Sequence, residues 1–457
     1  MVVVTAGGAG FQAFRERLAS AYPPAFAHLA WQLYRLTRGE QVVGPIRARH
    51  RALAPLALEY LFARRRPPLP PARRADVLVA FFPFRPDYAG LLAPVADELA
   101  RRGASVATLL PPEAPDPGLP GPALSLAAYA GPRAHAHARR RWAALAGHVR
   151  RFAAEHGLDA ARRTALRLLA QSYLWQEAAT LTALADVRPR ALLGLHLMTD
   201  PGVMGGVALH RASGARLRVV LLQHGLFSGD WPTHDFHGAD LVMLWGEASR
   251  EELARFPDAP PAVVVGNPRL AALGLGAGAE GPAPGGPATV LVAGTNGDPE
   301  VGRRALLTAL EALRGLGGVR VRVRPHPREP RAAYEEAART GLLPPGALDA
   351  SPDPYAAVRA ASVVVGTAST LLPEAVALGV PVVQVLDGGE RTWWSGGLAA
   401  ASTPGDLRAL VSRLVSDAAY RAEVLAGEAA TARAAFGDPA GAAALAAEAV
   451  LAQAGTG

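Results

Sequence analysis

The motif RPHP at 324–327 combines an arginine, a histidine and two prolines, and it directly follows the strand-like run VRVRV. Because proline restricts the backbone, Arg324 and His326 would be held rigidly at the carboxyl end of a strand. A histidine there can donate to a phosphate oxygen or protonate a leaving group, and an arginine can bind a diphosphate through two hydrogen bonds. The pattern predicts a site for a phosphorylated ligand. The alternative is a capped turn whose histidine binds only backbone.

A second motif, GTAST, begins at Gly366, after an apolar run of strand length and before a predicted helix. Free N–H groups at the helix start, together with the hydroxyls of Thr367, Ser369 and Thr370, would form a seat for a nucleotide phosphate. Glu374 lies one turn into the helix, where its carboxylate could accept both hydroxyls of a ribose. Ordinary N-capping by Thr or Ser and a solvated glutamate would explain the same residues.

Two further loops carry polar residues at the carboxyl end of a predicted strand. Thr295 and Asn296 follow ATVLVAG and could approach the phosphate of the donor. Glu390 and Arg391 lie in the loop after VPVVQVL. In open parallel sheets, ligands bind outside the carboxyl ends of the strands. These four residues are therefore candidates for the same donor site.

The first half of the chain also places polar residues after apolar strands. The triplet QHG at 223–225 follows LRVVLL and puts His224 in position to reach a sugar or an acceptor. Asp200 follows ALLGLHL and is a candidate general base, and Asp230 lies close along the chain to the histidine. A buried histidine satisfied by backbone and an aspartate that caps a helix or lies in a loop are the alternatives. We predict no metal site in the 230–237 stretch, because Pro232 makes it a loop.

The elements that must position these motifs form two α/β series. Apolar strands alternate with amphipathic helices from ADVLVAFF to PAVVVGNP, and again from ATVLVAG to VPVVQVL. Between the series, 274–287 consists of Gly, Ala and Pro apart from one Leu and one Glu, which is typical of a linker, and GNPR at 266–269 would close the first lobe at a hinge. The expected class is α/β, with two doubly wound domains and a ligand cleft between them. We expect a helical segment at 1–66, an acceptor domain at 67–273 and a nucleotide-donor domain at 288–457, whose C-terminal helices could pack back on the first domain.

Composition narrows the available chemistry. The 457 residues include no Lys and no Cys, so the 47 basic residues are all arginine. A Walker-type P-loop, a Schiff base, a thiol nucleophile and a Cys-ligated metal are thereby excluded. The net charge of +8 divides into +12 for residues 1–200 and −4 for the rest. The basic half suits a polyanionic partner or an anionic membrane face, or it reflects solvated helix faces.

Two further expectations concern location and partners. No window reaches the length of a membrane span and no signal peptide is recognisable, so we expect a cytoplasmic protein that is peripheral to the inner face of the membrane. The run VRVRVR is not interleaved with aromatic residues, and we expect no nucleic-acid partner.

The order of these motifs resembles a known family of enzymes. QHG, ADLVMLWGE, VVVGNPR, a linker, RPHP and GTAST…PEAVALGVPVV resemble GT-B glycosyltransferases of the bacterial surface-polysaccharide type, related to capsule transferases, polysialyltransferases and CDP-glycerol glycerophosphotransferases. The resemblance covers roughly residues 75–425. It implies transfer of a sugar or a related group from a nucleotide-activated donor to a polysaccharide or lipid-linked acceptor, with no cofactor and no metal.

The resemblance also implies roles for individual residues. His326 would contact the donor phosphate, the Thr367–Thr370 turn would seat it and Glu374 would hold the ribose. The base would be His224, Asp200 or Asp230.

A UDP-GlcNAc 2-epimerase of the same fold is the main alternative, because Gly389-Glu390-Arg391 resembles a loop of that family. That family's pattern has a glutamate where this chain has Gln223, and its HRxEN stretch is replaced by GTNG at 294–297. These differences favour transfer over epimerisation. A relative that only binds a nucleotide or glycan remains a third alternative.

Overall fold

The computed structural model divides the chain into two units. The first comprises the described residues up to Leu244, with Arg250–Pro268 and those from Gly441 on, and the second comprises Trp245–Ser249 and Arg269–Ala440. Residues 274–286 of the predicted linker lie outside the described residues. The structure describes residues 6–38, 74–82, 88–112, 114–195, 200–227, 236, 238–256, 258–273, 287–295, 299–326, 329–351, 353–386 and 393–455.

The first unit is built on a parallel sheet of seven strands in the order β3-β2-β1-β4-β5-β6-β7. The central strands are fully buried because both faces are covered, which is why their sequences are continuous apolar runs. The order reverses between β1 and β4. The strands are β1 (Val77–Ala80), β2 (Val106–Leu110), β3 (Ala123–Ser125), β4 (Ala191–Gly194), β5 (Arg218–Leu222), β6 (Leu241–Leu244) and β7 (Ala262–Val264).

Helices surround this sheet and form a second core beside it. The last helix of the chain, α16, packs against α4 and against β4 and β5. The N-terminal helices α1 to α3 share an apolar core with the long pair α5 and α6, including Phe14, Phe26 and Phe152. The helices of this unit are α1 (Ala6–Ala21), α2 (Pro24–His28), α3 (Ala30–Thr37), α4 (Ala89–Arg101), α5 (Pro132–Glu155), α6 (Ala160–Val187), α7 (Pro201–Ala212), α8 (Glu247–Leu253, which spans both units), α9 (Pro268–Ala272, which begins here) and α16 (Ala442–Ala454).

The second unit has a smaller parallel sheet in the order β12-β11-β10-β8-β9. Its first and third strands, β8 and β10, are neighbours, so the strand order reverses between them. Its core is formed by apolar residues of these strands and of the covering helices. The strands are β8 (Ala288–Ala293), β9 (Val319–Arg324), β10 (Val363–Gly366), β11 (Val382–Val385) and β12 (Ala400–Ala401); the helices are α10 (Pro299–Leu313), α11 (Ala332–Arg339), α12 (Pro354–Arg359), α13 (Leu371–Ala377), α14 (Pro404–Ser416) and α15 (Ala418–Phe436).

Two doubly wound parallel sheets confirm the α/β class predicted from the alternation of apolar runs and amphipathic helices. Two short edge strands were not predicted. One is β12, whose two residues pair with β11 in the second sheet. The other is β3, which lies in the Pro-rich stretch 111–133 and pairs with β2 at the edge of the first sheet. Its three residues are too few to produce a recognisable alternation.

Candidate functional site

The donor-site candidates converge at the carboxyl edge of the second sheet. Ala293, the last residue of β8, pairs on one side with Gly366 of β10 and on the other with Arg324 of β9. The segments that follow these strands therefore leave the sheet at the same level, and Thr295, Thr367 and His326 are the first or second residues of these segments. This is the point where the strand order reverses, and crevices at such points are the usual ligand sites of doubly wound sheets.

A small pocket lies between the ends of β8 and β10 and the first turns of α10. Its wall includes Gly294, Thr295, Gly302 and Thr367. The Thr295 hydroxyl donates to the carbonyl oxygen of Ala368 at 2.9 Å and so links the two loops directly. The Thr367 hydroxyl oxygen is buried and has no hydrogen-bond partner among the described residues. Leaving a buried hydroxyl unpaired is costly, and an oxygen of a bound ligand would satisfy it.

Glu329, which sequence reasoning missed, holds the RPHP turn in place. Its carboxylate accepts the backbone N–H of His326 at 3.1 Å and the hydroxyl of Tyr334. Burial, followed by the bond to the carboxylate, raises the pKa of Tyr334, so the tyrosine stays a donor. A Cβ at Gly294 would lie 2.1 Å from the carboxylate oxygen and 2.6 Å from the His326 nitrogen, so this close approach requires glycine. The spacing of Glu329, three residues after the histidine, is the signal that could have found it.

Arg324 is paired within the protein. Its guanidinium lies 2.5 Å from one carboxylate oxygen of Asp349, and that of Arg322 lies 2.9 Å from the other. The strict alternation in VRVRVR places both arginines on one face of β9, and the buried aspartate compensates their charge. Binding of a diphosphate by Arg324 stays a prediction, and a ligand would share this arginine with Asp349.

Glu374, the candidate for the ribose, is also held by an arginine. Its buried carboxylate accepts from a guanidinium nitrogen of Arg269 at 3.0 Å. The same guanidinium lies over the ring of Tyr355, 5.2 Å from the ring centre. Arg269 belongs to GNPR, which the sequence interpretation assigned to a hinge; the structure groups this arginine with the second unit. Arg269 and Glu374 are more than 100 positions apart, so the neighbouring residues in the sequence do not indicate that the two would pair.

The GTAST segment contains its own cap. The Ser369 hydroxyl accepts the N–H of Leu371 at 3.4 Å, whereas Thr370, the residue before α13, makes no side-chain cap bond. The capping alternative thus accounts for Ser369. It does not account for Thr367, whose hydroxyl caps nothing.

The first sheet brings two of the candidate bases to one edge. Strands β1, β4 and β5 are adjacent, and their carboxyl ends lead to Tyr88, Asp200 and His224. Asp200 is buried and directly precedes α7, but its side chain makes no cap bond. The His224 ring is in edge contact with Tyr88, with 5.5 Å between ring centres. Gln223 is fully buried, and its side-chain amide donates to the Gly225 carbonyl at 2.8 Å, so it fixes the turn that presents the histidine.

Four candidates, Asp230, Asn296, Glu390 and Arg391, lie outside the described residues. Within the described part of the chain, no group of three or more His, Asp or Glu side chains is placed to hold a metal ion. In the same part, no helix has the length and apolarity needed to cross a membrane.

Comparisons with known proteins identify the fold. No protein-family model matches the sequence, and a comparison with curated protein sequences finds no relative. A crystal structure of UDP-N-acetylglucosamine 2-epimerase matches with a TM-score of 0.51 at 15% identity, over 84% of this chain and 97% of that one. The Neisseria meningitidis UDP-GlcNAc 2-epimerase, solved with UDP-GlcNAc bound, matches with a TM-score of 0.50 at 13% identity, over 82% and 98%. MurG of Acinetobacter baumannii gives a TM-score of 0.46 at 16% identity, over 82% and 99%.

At such identities the similarity establishes the fold. The chain has the GT-B fold of two Rossmann-like domains, as the two matches with TM-scores of 0.51 and 0.50 and the two parallel sheets show, and the expected fold class is confirmed.

Proposed function

We propose that the protein is a glycosyltransferase of the surface-polysaccharide type, which moves a sugar from a nucleotide-activated donor to a glycan or lipid-linked acceptor. One observation carries the proposal: three adjacent parallel strands end together in Thr295, Thr367 and His326 at the reversal point of the second sheet. Hydroxyls, a histidine on a turn whose backbone N–H is bound by Glu329, and a glycine-lined pocket at that point suit a nucleotide phosphate. The proposal includes no metal and no cofactor.

The proposed chemistry assigns one task to each edge. On the second sheet, His326 donates to the leaving phosphate, Thr367 hydrogen-bonds to it, and Glu374, oriented by Arg269, accepts from the ribose. On the first sheet, His224 or Asp200 removes the proton from the attacking hydroxyl of the acceptor. The Tyr88 ring against His224 restricts the orientation of the imidazole.

Epimerisation of UDP-GlcNAc is a second candidate, because the similar structures with TM-scores of 0.50 and 0.51 carry that name. The end of β5 argues against it. There the chain has Gln223, a neutral and fully buried side chain that binds its own turn, where the epimerase pattern has a carboxylate. An amide cannot remove a proton from a sugar carbon.

Product analysis separates the two reactions. With UDP-GlcNAc alone, an epimerase forms a ManNAc product, whereas a transferase releases nucleotide only when an acceptor is added. We expect nucleotide release that depends on acceptor, and no ManNAc. Formation of ManNAc without acceptor would replace the proposal with the second candidate.

The role of His326 is tested with a matched pair of variants. His326→Ala should abolish turnover while thermal unfolding stays close to that of the wild type, because the side chain is only partly buried. His148→Ala, a change of the same size on α5, should retain full activity. Wild-type turnover in His326→Ala would refute the donor-site assignment.

A further inference from the structure

One helical hairpin of the first unit is strongly basic. Residues 131–170, which cover α5 and the first part of α6, contain nine arginines and two acids, for a net charge of +7. Residues 45–74 carry the same net charge, with eight arginines and one acid. The basic character of the first half thus comes from two stretches, and the hairpin is the one that lies within the described residues.

On α5 the exposed arginines form two rows along the helix. At 100° per residue, Arg133, Arg140 and Arg151 are separated by two and three turns and lie in one line about 27 Å long. Arg139 and Arg150 form a second line, and all five are solvent-exposed within an arc of about 120°. The exposed residues between them are small, so the guanidinium groups are the outermost atoms of this face; they are Ala136, Ala143, Ala144, Gly147 and Ala154.

Four of these five arginines have no partner among the described residues. Arg133, Arg139, Arg140 and Arg150 make no ion pair or hydrogen bond with any described residue. The fifth, Arg151, lies 3.5 Å from the carboxylate of Glu155. Arg141, on the inner side of the same helix, is bound by the buried carboxylate of Glu177 through two hydrogen bonds. Within the described residues, the outer face is thus a positive surface that is compensated only at Arg151.

The opposite face of α5 is committed to the protein core. Leu145, Val149 and Phe152 pack with the N-terminal helices and with α6. The apolar face of the helix is therefore not available to insert into the interior of a lipid bilayer. Whatever binds the outer face must do so through charge.

We propose that this arginine face docks the protein on the surface of an anionic lipid leaflet, with phospholipid head groups as the partner. A helix face is convex, and long arginine side chains spread over 120° can all reach one plane, so both rows engage a planar array of phosphates at once. A single flexible polyanion would neutralise one row and leave the other. The inference deepens the lipid-linked acceptor of the proposed function, but its test measures binding alone, so either can fail independently.

Co-sedimentation with lipid vesicles tests the docking surface. The wild-type protein should sediment with vesicles of phosphatidylcholine mixed with phosphatidylglycerol, and not with phosphatidylcholine alone. Binding should be lost in about 1 M salt, where the Debye length is about 3 Å. Each arginine near an anionic leaflet contributes about fivefold to partitioning, so the double change Arg139→Gln and Arg140→Gln should weaken binding about 25-fold.

A matched double variant controls for net charge. Arg320→Gln with Arg339→Gln removes two exposed arginines from the second unit and should leave vesicle binding unchanged. Equal losses in both double variants, or no loss in the α5 variant, would overturn the assignment. A further outcome is that the wild-type protein binds soluble polyglutamate through α5 and fails to bind anionic vesicles. That result would assign the arginine face to a soluble polyanion and would also overturn the lipid assignment. Thermal unfolding should be unchanged in both variants, because all four side chains are exposed.

Discussion

A buried carboxylate in the second unit should make stability depend on pH near neutrality. Glu428 of α15 is 2% exposed and accepts the backbone N–H groups of Val382 at 3.1 Å and Ala399 at 3.0 Å. These two residues lead into β11 and β12. Burial raises the pKa of Glu428 from its usual 4.5 to about 7, although the two amides favour the charged form and lower it. The helix is thus tied to the sheet by a group that titrates near physiological pH.

The direction of the effect follows from the sign of this shift. Between pH 4.5 and about 7, the folded protein keeps a proton that the unfolded chain releases. The contribution to folding is therefore fully present below pH 4.5 and is lost as the pH rises through about 7. A shift of about 2.5 units, at 1.4 kcal/mol per unit, corresponds to about 3 kcal/mol. Protonation strengthens this unit and alkaline pH weakens it.

Denaturant unfolding of Glu428→Gln at a series of pH values measures this pH-dependent contribution to the free energy of unfolding. Glutamine stays neutral at every pH, but its NH2 group cannot accept the second backbone N–H, so the variant should be less stable than the wild type at pH 4.5. Between pH 4.5 and pH 8, its stability relative to the wild type should rise by about 3 kcal/mol. Glu423→Gln, at an exposed position of the same helix, should follow the wild-type pH dependence. Parallel curves for wild type and Glu428→Gln would refute the reasoning, because the carboxylate would then titrate alike in both states.

Two further predictions concern close packing and charge. Gly205→Ala should lower the stability of the first unit by about 1–3 kcal/mol, because the new Cβ would lie 2.4 Å from the Tyr173 hydroxyl. The control Gly147→Ala, with open space around it on α5, should raise the free energy of unfolding by about 0.5–1 kcal/mol. Asp349→Asn should destabilise the second unit by about 1–3 kcal/mol in denaturant unfolding, since it removes the buried charge that compensates Arg324. A neutral effect of Asp349→Asn, or a stabilising effect of Gly205→Ala, would contradict these assignments.

The strands and the motifs at their ends could be predicted because the signals are local. The strands that precede the candidate motifs are continuous apolar runs, except β9, which alternates Val and Arg. The polar residues that follow the strands of one parallel sheet leave it at the same edge. The predicted order of strands was therefore enough to place Thr295, Thr367 and His326 at one edge. Recognising alternating strands and helices in a sequence requires no knowledge of side-chain contacts.

The partners of these residues were missed because they come from distant parts of the chain. Arg269 meets Glu374, and Asp349 meets Arg324, across 105 and 25 positions. Nothing in the spacing of such residues indicates which charges will be paired and which will face a ligand. Glu329 was closer to detection, since it lies in the same turn as His326. Sequence reasoning thus located the edge and not the hydrogen bonds that organise it.

The measurement that tests the central claim most directly is nucleotide binding by calorimetry to Thr367→Val and its control Thr108→Val. Both changes remove a buried hydroxyl that has no partner in the described part of the chain, one at the proposed donor site and one on β2 of the first sheet. A panel of CMP, CDP, UDP and GDP should include one that binds the wild type and Thr108→Val equally. Loss of a hydrogen bond to a charged phosphate should weaken its binding to Thr367→Val by about tenfold to a hundredfold. Equal affinity for Thr367→Val and Thr108→Val, or no nucleotide binding at all, would contradict a donor site at this edge.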